Sequence, residues 1–549
     1  MRSKILRVHP NDTVIVALAD LAAGEQVTWD GVAYTLAERI QQKHKFTIHD
    51  LAPGDPVYMY GVLVGRATRH IPAGGWISTE NLSHAADPYA LRGMAYDWQA
   101  PDVSRWQGRQ FMGYHRSDGR VGTANYWLVV PLVFCENRNL DVLRDSLLEP
   151  LGYGFRRHQL DIGPLKQLYA AGASPEALLE AELPSGDAVQ RAHRFFGQVD
   201  GIKFLKHEGG CGGTRQDSEA LCALLAGYIN HPNVAGATVL SLGCQHAQVP
   251  LLEAALARIA PGFDKPLYIF EQQKSRSERD LLTSVIRQTF VGLSIADRQQ
   301  RQPAPLSKLV LGLECGGSDG FSGISANPAV GQAADYLVAL GGTAMLSEFP
   351  ELCGVEQELS DRCISRDVSA RFIQLMRAYE HAAEAVGSGF DMNPSPGNIR
   401  DGLITDAIKS AGAARKGGTS PITDVLDYTE QVRRPGLNLL CTPGNDVEST
   451  TALAGSGANL AVFTTGLGTP TGNPIMPVVK IATNTSLARR MADIIDIDAG
   501  TIITGEDSIE TKGAEILDYL IRVASGEATP KAVQLGQDDF IPWKRGVSL

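Results

Sequence analysis

The 549-residue sequence lacks several patterns that would assign it to a common class of protein. No CxxC pair occurs, which excludes a zinc ribbon and a thioredoxin-like motif. No GxGxxG or P-loop sequence follows a strand, so a dinucleotide or ATP site is not expected. The chain has no long Lys/Arg run, and its net charge of −11 argues against nucleic acid, which requires a basic surface. No apolar run has the length of a membrane span, and Met1–Pro10 has no signal-peptide core. We therefore expect a cytoplasmic protein that binds neither nucleic acid nor membrane.

Cysteine is sparse, whereas glycine is abundant. Eight cysteines in a long chain of intracellular type make disulfides unexpected. The 57 glycines and 29 prolines, without any low-complexity tract, predict many tight and functional loops. At 44% apolar residues the chain can bury a full core, and 549 residues are too many for one ordinary domain.

The first 80 or so residues predict an all-β unit. Runs rich in β-branched and aromatic residues at 13–18 and 56–64 predict strands. One phrase, an apolar residue followed by a glycine-centred turn and a second apolar residue, recurs at 21–27, 51–57 and 71–77. These are tight turns that enter the strands of a small clip or barrel. Residues 36–43 could add one helical turn.

After a polar linker the pattern changes to strands that alternate with helices. Residues 212–230 have helical periodicity with Thr214 as an N-cap. Apolar runs predict buried strands at 126–134, 237–242, 266–270, 309–313, 343–346, 437–440, 460–463 and 478–481. Such alternation implies mostly parallel sheets with right-handed crossovers. We expect a multidomain α/β protein with an all-β clip at 1–85, a linker at 86–110, a middle α/β domain at 111–303 and a C-terminal, Rossmann-like, mostly parallel sheet at 304–549.

Polar and thiol side chains follow the predicted strands of this α/β part. Ligands of open parallel sheets bind at the carboxyl ends of strands, which here lead into loops at 243–246, 314–319, 347–348, 441–446 and 464–472. The ECGGSDG loop at 314–320 is the densest of them. We expect Cys315 and Asp319 to bind metal or substrate, and Glu314, taken as the last residue of its strand, to point away. Thiolate, imidazole and carboxylate together suit iron or manganese better than magnesium.

Three further segments could contribute to a site. The glycine-rich loop at 207–213 could form an amide-lined anion pocket, or it could be a helix entry in which His207 is merely hydrogen-bonded. The loop at 393–398 carries two prolines and is either a rigid binding loop or a helix connector. Lys409, Arg415 and Lys416 could offer cations to a carboxylate or form a solvated helix end. His44 gains a role only if the small domain folds over the main site.

At these loops the sequence resembles the altronate/galactarate dehydratase family. The resemblance extends over nearly the whole chain, and it is carried by residues 113–114, 118–123, 207–213, 242–244, 315–319, 321–323, 326–328, 393–398 and 463–466. The N-terminal repeats resemble the SAF, or β-clip, domain of that family. The resemblance implies a homodimer formed through the middle domain. It also implies dehydration of a sugar acid, in the first place D-altronate, to a 2-keto-3-deoxy acid, with a divalent metal that is Fe²⁺ or, as a second choice, Mn²⁺.

Two positions depart from this resemblance. Gln245 stands where members that act on altronate often have glutamate. Ala124 stands where they often have arginine after the Gly-Thr pair. Both changes alter local charge, so galactarate or a related acid stays an alternative substrate.

The chemistry suggests roles for particular residues, because removal of the proton next to a carboxylate creates negative charge that a metal and loop amides can stabilise. We predict that His44 and His207 act as base or acid and that Lys45 pairs with the carboxylate of the substrate. Asp319 is predicted to bind metal or a substrate hydroxyl. The predicted metal ligands are Cys211, Cys244, Cys315 and Glu348. The predicted substrate-binding residues are Gly212, Gly213, Gly316, Gly317, Ser318, Asn393, Asn398, Thr464 and Thr465.

Three other functions remain open from the sequence. An iron–sulfur hydro-lyase would use Cys211, Cys244 and Cys315 as cluster ligands. A sulfo-lyase would act on a hydroxy-sulfonate. A protein that binds sugar acids without turnover would use the β-clip domain.

Overall fold

The computed structural model describes residues 3–90, 96–154, 161–183, 193–546 and 548. Its N-terminal part is all-β and consists of antiparallel pairs. The strands are β1 (Ile5–Leu6), β2 (Val14–Ala17), β3 (Gln26–Trp29), β4 (Val32–Thr35), β5 (Lys45–Thr47), β6 (Pro56–Met59), β7 (Val62–Ala67), β8 (Trp76–Ile77) and β9 (Leu82–Ser83). They form sheets of order β1-β2-β5-β8, β3-β4 and β6-β7-β9.

The recurring glycine-centred segments lie where distant parts of this small domain pair with each other. Isolated bridges join Leu21 to Ile40 and Leu51 to Ile71. The expected helical turn at 36–43 is wrong. Instead, the N–H of Gly24 donates to the carbonyl of Leu36 at 2.8 Å, and the backbones of Ile40 and Leu21 bond to each other. Pairing across the clip thus satisfies the backbone groups that a helix would have used.

The middle domain is built on a parallel sheet. Its strands are β10 (Gln110–His115), β11 (Val121–Gly122), β12 (Tyr126–Pro131), β13 (Gly201–Phe204), β14 (Val234–Ser241), β15 (Leu267–Glu271) and β16 (Gln302–Pro305). Its helices are α1 (Asn137–Leu147), α2 (Gly163–Ala170), α3 (Pro175–Leu179), α4 (Arg215–Asn230), α5 (Val249–Ile259) and α6 (Glu278–Ala296). The main sheet has the order β13-β12-β14-β15, and all of its strands are parallel. Every residue of β12 and β14 is buried, as the apolar runs predicted.

The C-terminal domain contains a larger parallel sheet. Its strands are β17 (Val310–Cys315), β18 (Thr343–Leu346), β19 (Ile422–Leu426), β20 (Gly436–Leu440), β21 (Leu460–Thr465), β22 (Val478–Ala482) and β23 (Ile497–Asp498). Its helices are α7 (Ala326–Ala339), α8 (Glu356–Asp361), α9 (Arg366–Glu384), α10 (Pro396–Arg400), α11 (Asp406–Ala414), α12 (Asp446–Gly455), α13 (Thr485–Arg490), α14 (Gly500–Ile503), α15 (Ile509–Ala524) and α16 (Lys531–Gln534). The order is β19-β20-β18-β17-β21-β22-β23.

The order of this sheet reverses between β17 and β21. Strands β18, β20 and β19 lie on one side of β17, and β21, β22 and β23, which come later in the chain, lie on the other side. Such a switch point is where open parallel sheets bind ligands. The three parts together confirm the predicted fold class: a β-clip, a middle α/β domain and a C-terminal, Rossmann-like parallel sheet.

The N-terminal and middle parts both pack on the C-terminal domain. The Thr405 hydroxyl donates to the carbonyl of Val64, at 3.1 Å. The Tyr228 hydroxyl of α4 donates to the carbonyl of Thr451 in α12, also at 3.1 Å. Residues 96–106 lie along the C-terminal domain, where the indole of Trp106 donates to Asp518 at 2.9 Å. Among the helices that the structure describes, none has the length and apolar content of a membrane span.

Candidate active site

The candidate site lies at the carboxyl end of β17, at the switch point of the C-terminal sheet. The N–H of Gly316 donates to the carbonyl of Thr464 at 3.1 Å. A Cβ at Gly316 would collide with the carboxylate of Asp446 and would lie 2.6 Å from the ring of Phe463. Only glycine therefore allows the loop to pass this close to the start of α12.

Glu314 lies inside this site, which corrects the expectation that it points away. Strand β17 continues to Cys315, so Glu314 lies within the strand, and its side chain is on the face of the sheet that packs against α12. Its Oε2 accepts hydrogen bonds from the hydroxyls of Ser347, at 3.1 Å, and Ser449, at 2.7 Å. Its Oε1 is buried and has no hydrogen-bond partner. A buried carboxylate oxygen without a partner is costly unless something else binds it.

Glu348 follows β18 and also points into the site. It is fully buried and has a left-handed backbone, with φ at 66°, and its N–H donates to the Thr442 hydroxyl at 2.8 Å. Its Oε2 accepts from the backbone N–H of Cys315, at 3.2 Å, and from the ammonium of Lys416. Its Oε1, like that of Glu314, has no partner. A strained backbone at a non-glycine residue is a frequent feature of binding sites.

Two lysines and a thiol complete the cluster around these glutamates. Lys416 Nζ lies 2.8 Å from Cys315 Sγ, and the thiol lies 3.4 Å from Glu351 Oε2. Lys409 Nζ lies 2.7 Å from Glu351 Oε1 and 2.7 Å from the amide oxygen of Asn393. Lys416 is 1% exposed, so it is not part of a solvated helix end. Burial raises the pKa of the Cys315 thiol well above its usual value, so the thiol is protonated in this arrangement.

The charges of the cluster do not balance. Four carboxyl groups face two ammonium groups, which leaves two more negative than positive charges when all are ionised: Glu314, Glu348, Glu351 and Asp446 against Lys409 and Lys416. Burial, followed by the charges of Glu348 and Glu351, raises the pKa of Asp446 to about 7. Burial also raises the pKa of Glu314 and of Glu348. A bound divalent cation would favour the ionised form of these carboxyl groups.

Two sets of potential metal ligands overlap in this cluster. Each set has its ligand atoms within 4.8 Å of one another, and the sets are Cys315, Glu348 and Glu351, and Glu314, Glu348 and Asp446. Glu348 belongs to both. Oxygen ligands with one sulfur fit Fe²⁺ or Mn²⁺, and the unpartnered oxygens of Glu314 and Glu348 are free to bind such an ion.

Asp319 lies further along the same loop and joins it to the N-terminal domain. Its Oδ1 accepts from the hydroxyls of Ser322, at 3.1 Å, and Thr483, at 3.0 Å. Its Oδ2 lies 3.0 Å from Lys43 Nζ, which also lies 2.8 Å from Asp401. Asp319 is fully buried. The small domain therefore does fold over the loops of the main site, and Lys43, which the sequence did not single out as a site residue, makes the contact.

His44 and Lys45 lie in the same contact between domains. The Trp76 indole donates to His44 Nδ1 at 3.2 Å, and because an indole is only a donor, His44 Nε2 carries the proton and donates to the carbonyl of Arg400 at 3.1 Å. Burial lowers the pKa of His44, so the ring is neutral. Lys45 Nζ donates to the carbonyl of Gly402 at 2.5 Å, and burial lowers the pKa of Lys45 to about 7.

Several predicted substrate-binding residues hold the loops in place. The Asn398 amide donates to the carbonyl of Ser318 at 2.7 Å, and Asn398 forms a capping box with Ser395 at the start of α10. The carbonyl of Gly317 accepts from the N–H of Gly466 at 3.0 Å.

The hydroxyls of β21 are likewise engaged in the structure. Thr464 donates to the Asn327 side chain at 2.6 Å, and the hydroxyl of Thr465 accepts from the N–H of Gly468 at 2.9 Å. These contacts give the side chains a positioning role for the loop above β17. Whether they also bind substrate stays a prediction.

His207 lies at the other parallel sheet, in the middle domain. Its Nε2 donates to the carbonyl of Pro131 at 2.8 Å, and its Nδ1 accepts from the N–H of Gly209 at 3.0 Å. Its ring lies beside Phe540, and burial lowers its pKa. This matches the alternative in which His207 is hydrogen-bonded within a helix entry.

The loop after His207 leads into α4 as predicted. The Thr214 hydroxyl accepts from the N–H of Asp217 at 3.1 Å and caps the helix. Gly212 and Gly213 precede this cap, and Gly213 lies near the side chain of Lys544 from the C-terminal segment.

The predicted metal ligands divide between two places, which corrects the idea of one shared site. Cys315 and Glu348 lie in the buried cluster. Cys211 and Cys244 are exposed and follow β13 and β14 of the middle sheet. Among the described residues, no group of three potential ligands whose atoms lie within 4.8 Å of one another contains Cys211 or Cys244 together with Cys315.

Gln245, one of the two departures from the resemblance, stabilises the turn at Cys244. Its Oε1 accepts from the N–H of Gly243 at 2.7 Å, and its Nε2 donates to the Ser241 hydroxyl at 2.7 Å. A glutamate could not donate the second bond when ionised. The other departure, Ala124, is buried.

Comparison with known proteins gives the family. The chain matches the Altronate/galactarate dehydratase SAF domain at residues 3–85 and the D-galactarate dehydratase/Altronate hydrolase second domain at 113–297. It matches the D-galactarate/Altronate dehydratase C-terminal domain at 306–548.

Full-length relatives agree with these matches. The chain is 33% identical to an altronate dehydratase of Escherichia coli (strain K12), over 95% of this chain and 96% of the relative. It is 32% identical to an altronate dehydratase of Bacillus subtilis (strain 168), over 99% of both chains. A galactarate dehydratase (L-threo-forming) of Escherichia coli (strain K12) is 31% identical, over 97% of this chain and 94% of the relative. The chain therefore belongs to the altronate/galactarate dehydratase family of hydro-lyases.

Proposed function

We propose that this protein removes water from a sugar acid, in the first place D-altronate, to give a 2-keto-3-deoxy acid, and that it does so with a bound divalent metal. The observation that carries the proposal is the buried cluster at the switch point, which has four carboxyl groups against two ammonium groups and two unpartnered carboxylate oxygens. Galactarate is the second candidate substrate, because a galactarate dehydratase is almost as similar to this chain as the altronate dehydratases are.

The metal would be held by Glu314, Glu348 and Asp446, with Cys315 and Glu351 as further ligands. Fe²⁺ is the first choice and Mn²⁺ the second, since both accept oxygen and sulfur ligands. When bound, the metal supplies a Lewis acid that stabilises negative charge on the carboxylate of the substrate.

Dehydration also needs a base for the proton on C2. We assign this step to Lys45 in place of His44. A lysine with a pKa of about 7 is partly neutral at physiological pH and can accept a proton. His44 has both ring nitrogens engaged, by Trp76 and by the carbonyl of Arg400. Asp319 holds Lys43 and thereby positions the segment that contains Lys45.

The departing 3-hydroxyl needs a proton from an acid. We assign this role to Lys409, whose ammonium lies 2.7 Å from Glu351 Oε1 in the cluster. The charge of Glu351 raises the pKa of Lys409 against the opposing effect of burial, which keeps it protonated before the reaction. Asn393 orients the Lys409 ammonium.

We also propose a homodimer formed through the middle domain. Exposed apolar side chains lie together on this domain, where the ring centroids of Phe195 and Phe290 are 5.9 Å apart and Val291 and Ile295 continue the surface along α6. An exposed apolar patch of this kind is typical of an interface. Phe290→Asp should convert the dimer to a monomer in sedimentation experiments, and a wild-type protein that sediments as a monomer would contradict the proposal.

The activity is tested by one anaerobic assay panel. D-altronate, galactarate and a small hydroxy-sulfonate are each incubated with the Fe²⁺-loaded and the Mn²⁺-loaded protein. Formation of a 2-keto-3-deoxy acid from D-altronate is the expected result. Release of sulfite from the sulfonate would instead indicate a sulfo-lyase, and calorimetric binding of a sugar acid without turnover would indicate a binding protein.

A further inference from the structure

Three exposed cysteines lie at one edge of the middle sheet. Cys135 follows β12, Cys211 follows β13 and Cys244 follows β14, and these three strands are neighbours in the order β13-β12-β14. Because all three strands are parallel, their carboxyl ends meet at the same edge. The sequence places the cysteines 76 and 33 residues apart, and only the strand order brings them together.

Direct backbone contacts join the three loops that carry these cysteines. The N–H of Phe134, next to Cys135, donates to the carbonyl of Gly209 at 3.1 Å. The N–H of Ala247 donates to the carbonyl of Gly210, next to Cys211, at 3.0 Å. Gly210 has a φ of 99°, and a Cβ there would collide with the carbonyl of Leu132. The loop after β13 thus lies against the loops after β12 and β14.

The backbone around the cysteines offers donors that are not in use. Within the described ranges, no protein acceptor is found for the N–H groups of Cys211, Gly212, Gly213, Cys244 and Gln245. The same holds for the three thiols, which make no hydrogen bond and no disulfide among the described residues. Consecutive free amides form a concave surface that binds anions and the sulfides of iron–sulfur sites.

The three sulfurs are not arranged for direct coordination of a single ion. Tetrahedral coordination of one zinc ion at about 2.3 Å would require sulfurs about 3.8 Å apart. Among the described residues, Cys135, Cys211 and Cys244 do not form a set within 4.8 Å of one another. An iron–sulfur cluster spaces its thiolates more widely, because each cysteine binds a different iron atom.

We propose that Cys135, Cys211 and Cys244 bind a four-iron, four-sulfide cluster at the carboxyl edge of the middle sheet. Three cysteines leave one iron without a cysteine ligand. This site is distinct from the carboxylate cluster of the C-terminal sheet. It contains Cys135 where the iron–sulfur alternative drawn from the sequence had Cys315.

The test is anaerobic reconstitution of the full-length protein with sulfide and equal amounts of ferrous and ferric iron, which supply the two oxidation states of the oxidised cluster. The wild type should take up iron and acid-labile sulfide at about four of each per chain and gain a visible absorption band that bleaches on reduction. Cys135→Ser, Cys211→Ser and Cys244→Ser should each lose most of this absorption. Cys315→Ser and, as a matched control at a half-buried thiol, Cys353→Ser should keep it. Loss in Cys315→Ser with retention in Cys135→Ser would overturn the proposal, as would a wild type that takes up no sulfide.

Thiol labelling of the wild-type chain gives a second readout that needs no variant. Iodoacetamide followed by peptide mass analysis should modify Cys135, Cys211 and Cys244 before reconstitution and leave them at least tenfold less modified afterwards. Equal labelling in both states would overturn the proposal. Neither readout depends on turnover, so failure of the proposed dehydratase activity would not be mistaken for absence of the cluster.

Discussion

The two parallel sheets of this protein have the same architecture but end in different chemistry. The C-terminal sheet ends in buried carboxylates and ammonium groups around Glu348, whereas the middle sheet ends in exposed thiols and free amides around Cys211. Because the first edge is buried, an uncompensated charge there is energetically costly. This edge therefore fits a divalent cation with mostly oxygen ligands. The second edge presents soft ligands on a surface and fits a sulfur-containing group. Both edges are candidate binding sites because they lie at the carboxyl ends of strands. They differ in burial and in the type of ligand that they offer.

Metal removal should have the largest effect on activity. A strong chelator should abolish turnover of D-altronate, because the C-terminal cluster would then lack its cation. Addition of Mn²⁺ or Fe²⁺ alone should restore turnover. Restoration that also required sulfide would move the catalytic centre to the middle sheet.

Neutralisation of Glu348 should have the next largest effect. Glu348→Gln removes the carboxylate that belongs to both ligand sets, and we expect kcat/KM to fall about 10³-fold, as on loss of one preorganised charge-stabilising group. Glu448→Gln, a half-buried carboxyl on α12 outside these sets, is the matched control and should stay near wild type. Equal effects of the two substitutions would show that Glu348 has no special role.

Substitution of Lys45 should change the pH dependence of turnover. Lys45 accepts a proton in its neutral form, so kcat of the wild type should rise as pH passes through about 7. Lys45→Met should lower kcat about 10²-fold, typical of loss of a general base, and remove that rise. Lys45→Arg keeps the charge but cannot lose the proton, so it should fail in the same way. Wild-type kcat in either variant would exclude Lys45 as the base.

Burial of Lys45 should also make the free energy of unfolding depend on pH. Because the folded-state pKa of Lys45 lies below its unfolded value, the folded state binds fewer protons between about pH 7 and the ordinary lysine pKa of about 10.4. The free energy of unfolding of the wild type should therefore rise with pH in this range relative to Lys45→Met. Denaturant titrations at pH 6.5 and about pH 9 measure the difference, and a pH-independent difference would contradict the burial of this amine.

Substitution of His207 should have the smallest effect on turnover. Its ring nitrogens are engaged by the backbone at Pro131 and Gly209, so His207→Gln should destabilise the chain by about 1 kcal/mol through lost hydrogen bonds. The kcat should change by no more than a few fold. A fall as large as that of Glu348→Gln would place chemistry at the middle sheet.

The sequence was sufficient for much of the fold and for the location of the site. Apolar runs predicted β12, β17, β18 and β20, because buried parallel strands need continuous apolar residues. The strand-end rule selected Cys315, Asp319 and Glu348, and the structure has them at or after the carboxyl ends of β17 and β18. Their roles in a site stay predictions.

Other features depend on three-dimensional relations that the sequence does not contain. The surroundings of Glu314 depend on which face of β17 packs against α12, and a continuous apolar run does not distinguish the two faces. The grouping of Cys135 with Cys211 depends on the strand order β13-β12-β14. The contact of Lys43 with Asp319 depends on how one domain packs on another. Strand order and domain packing are set by the whole chain, so local patterns could not predict these groupings.

The most direct test of the two-edge account is Mn²⁺ binding, measured by electron paramagnetic resonance on three forms of the protein. The account predicts that the wild type and a Cys135→Ser/Cys211→Ser/Cys244→Ser variant bind Mn²⁺ with the same affinity, whereas Glu314→Gln/Glu348→Gln loses tight binding. Loss of Mn²⁺ binding in the cysteine variant, with retention in the glutamate variant, would contradict it.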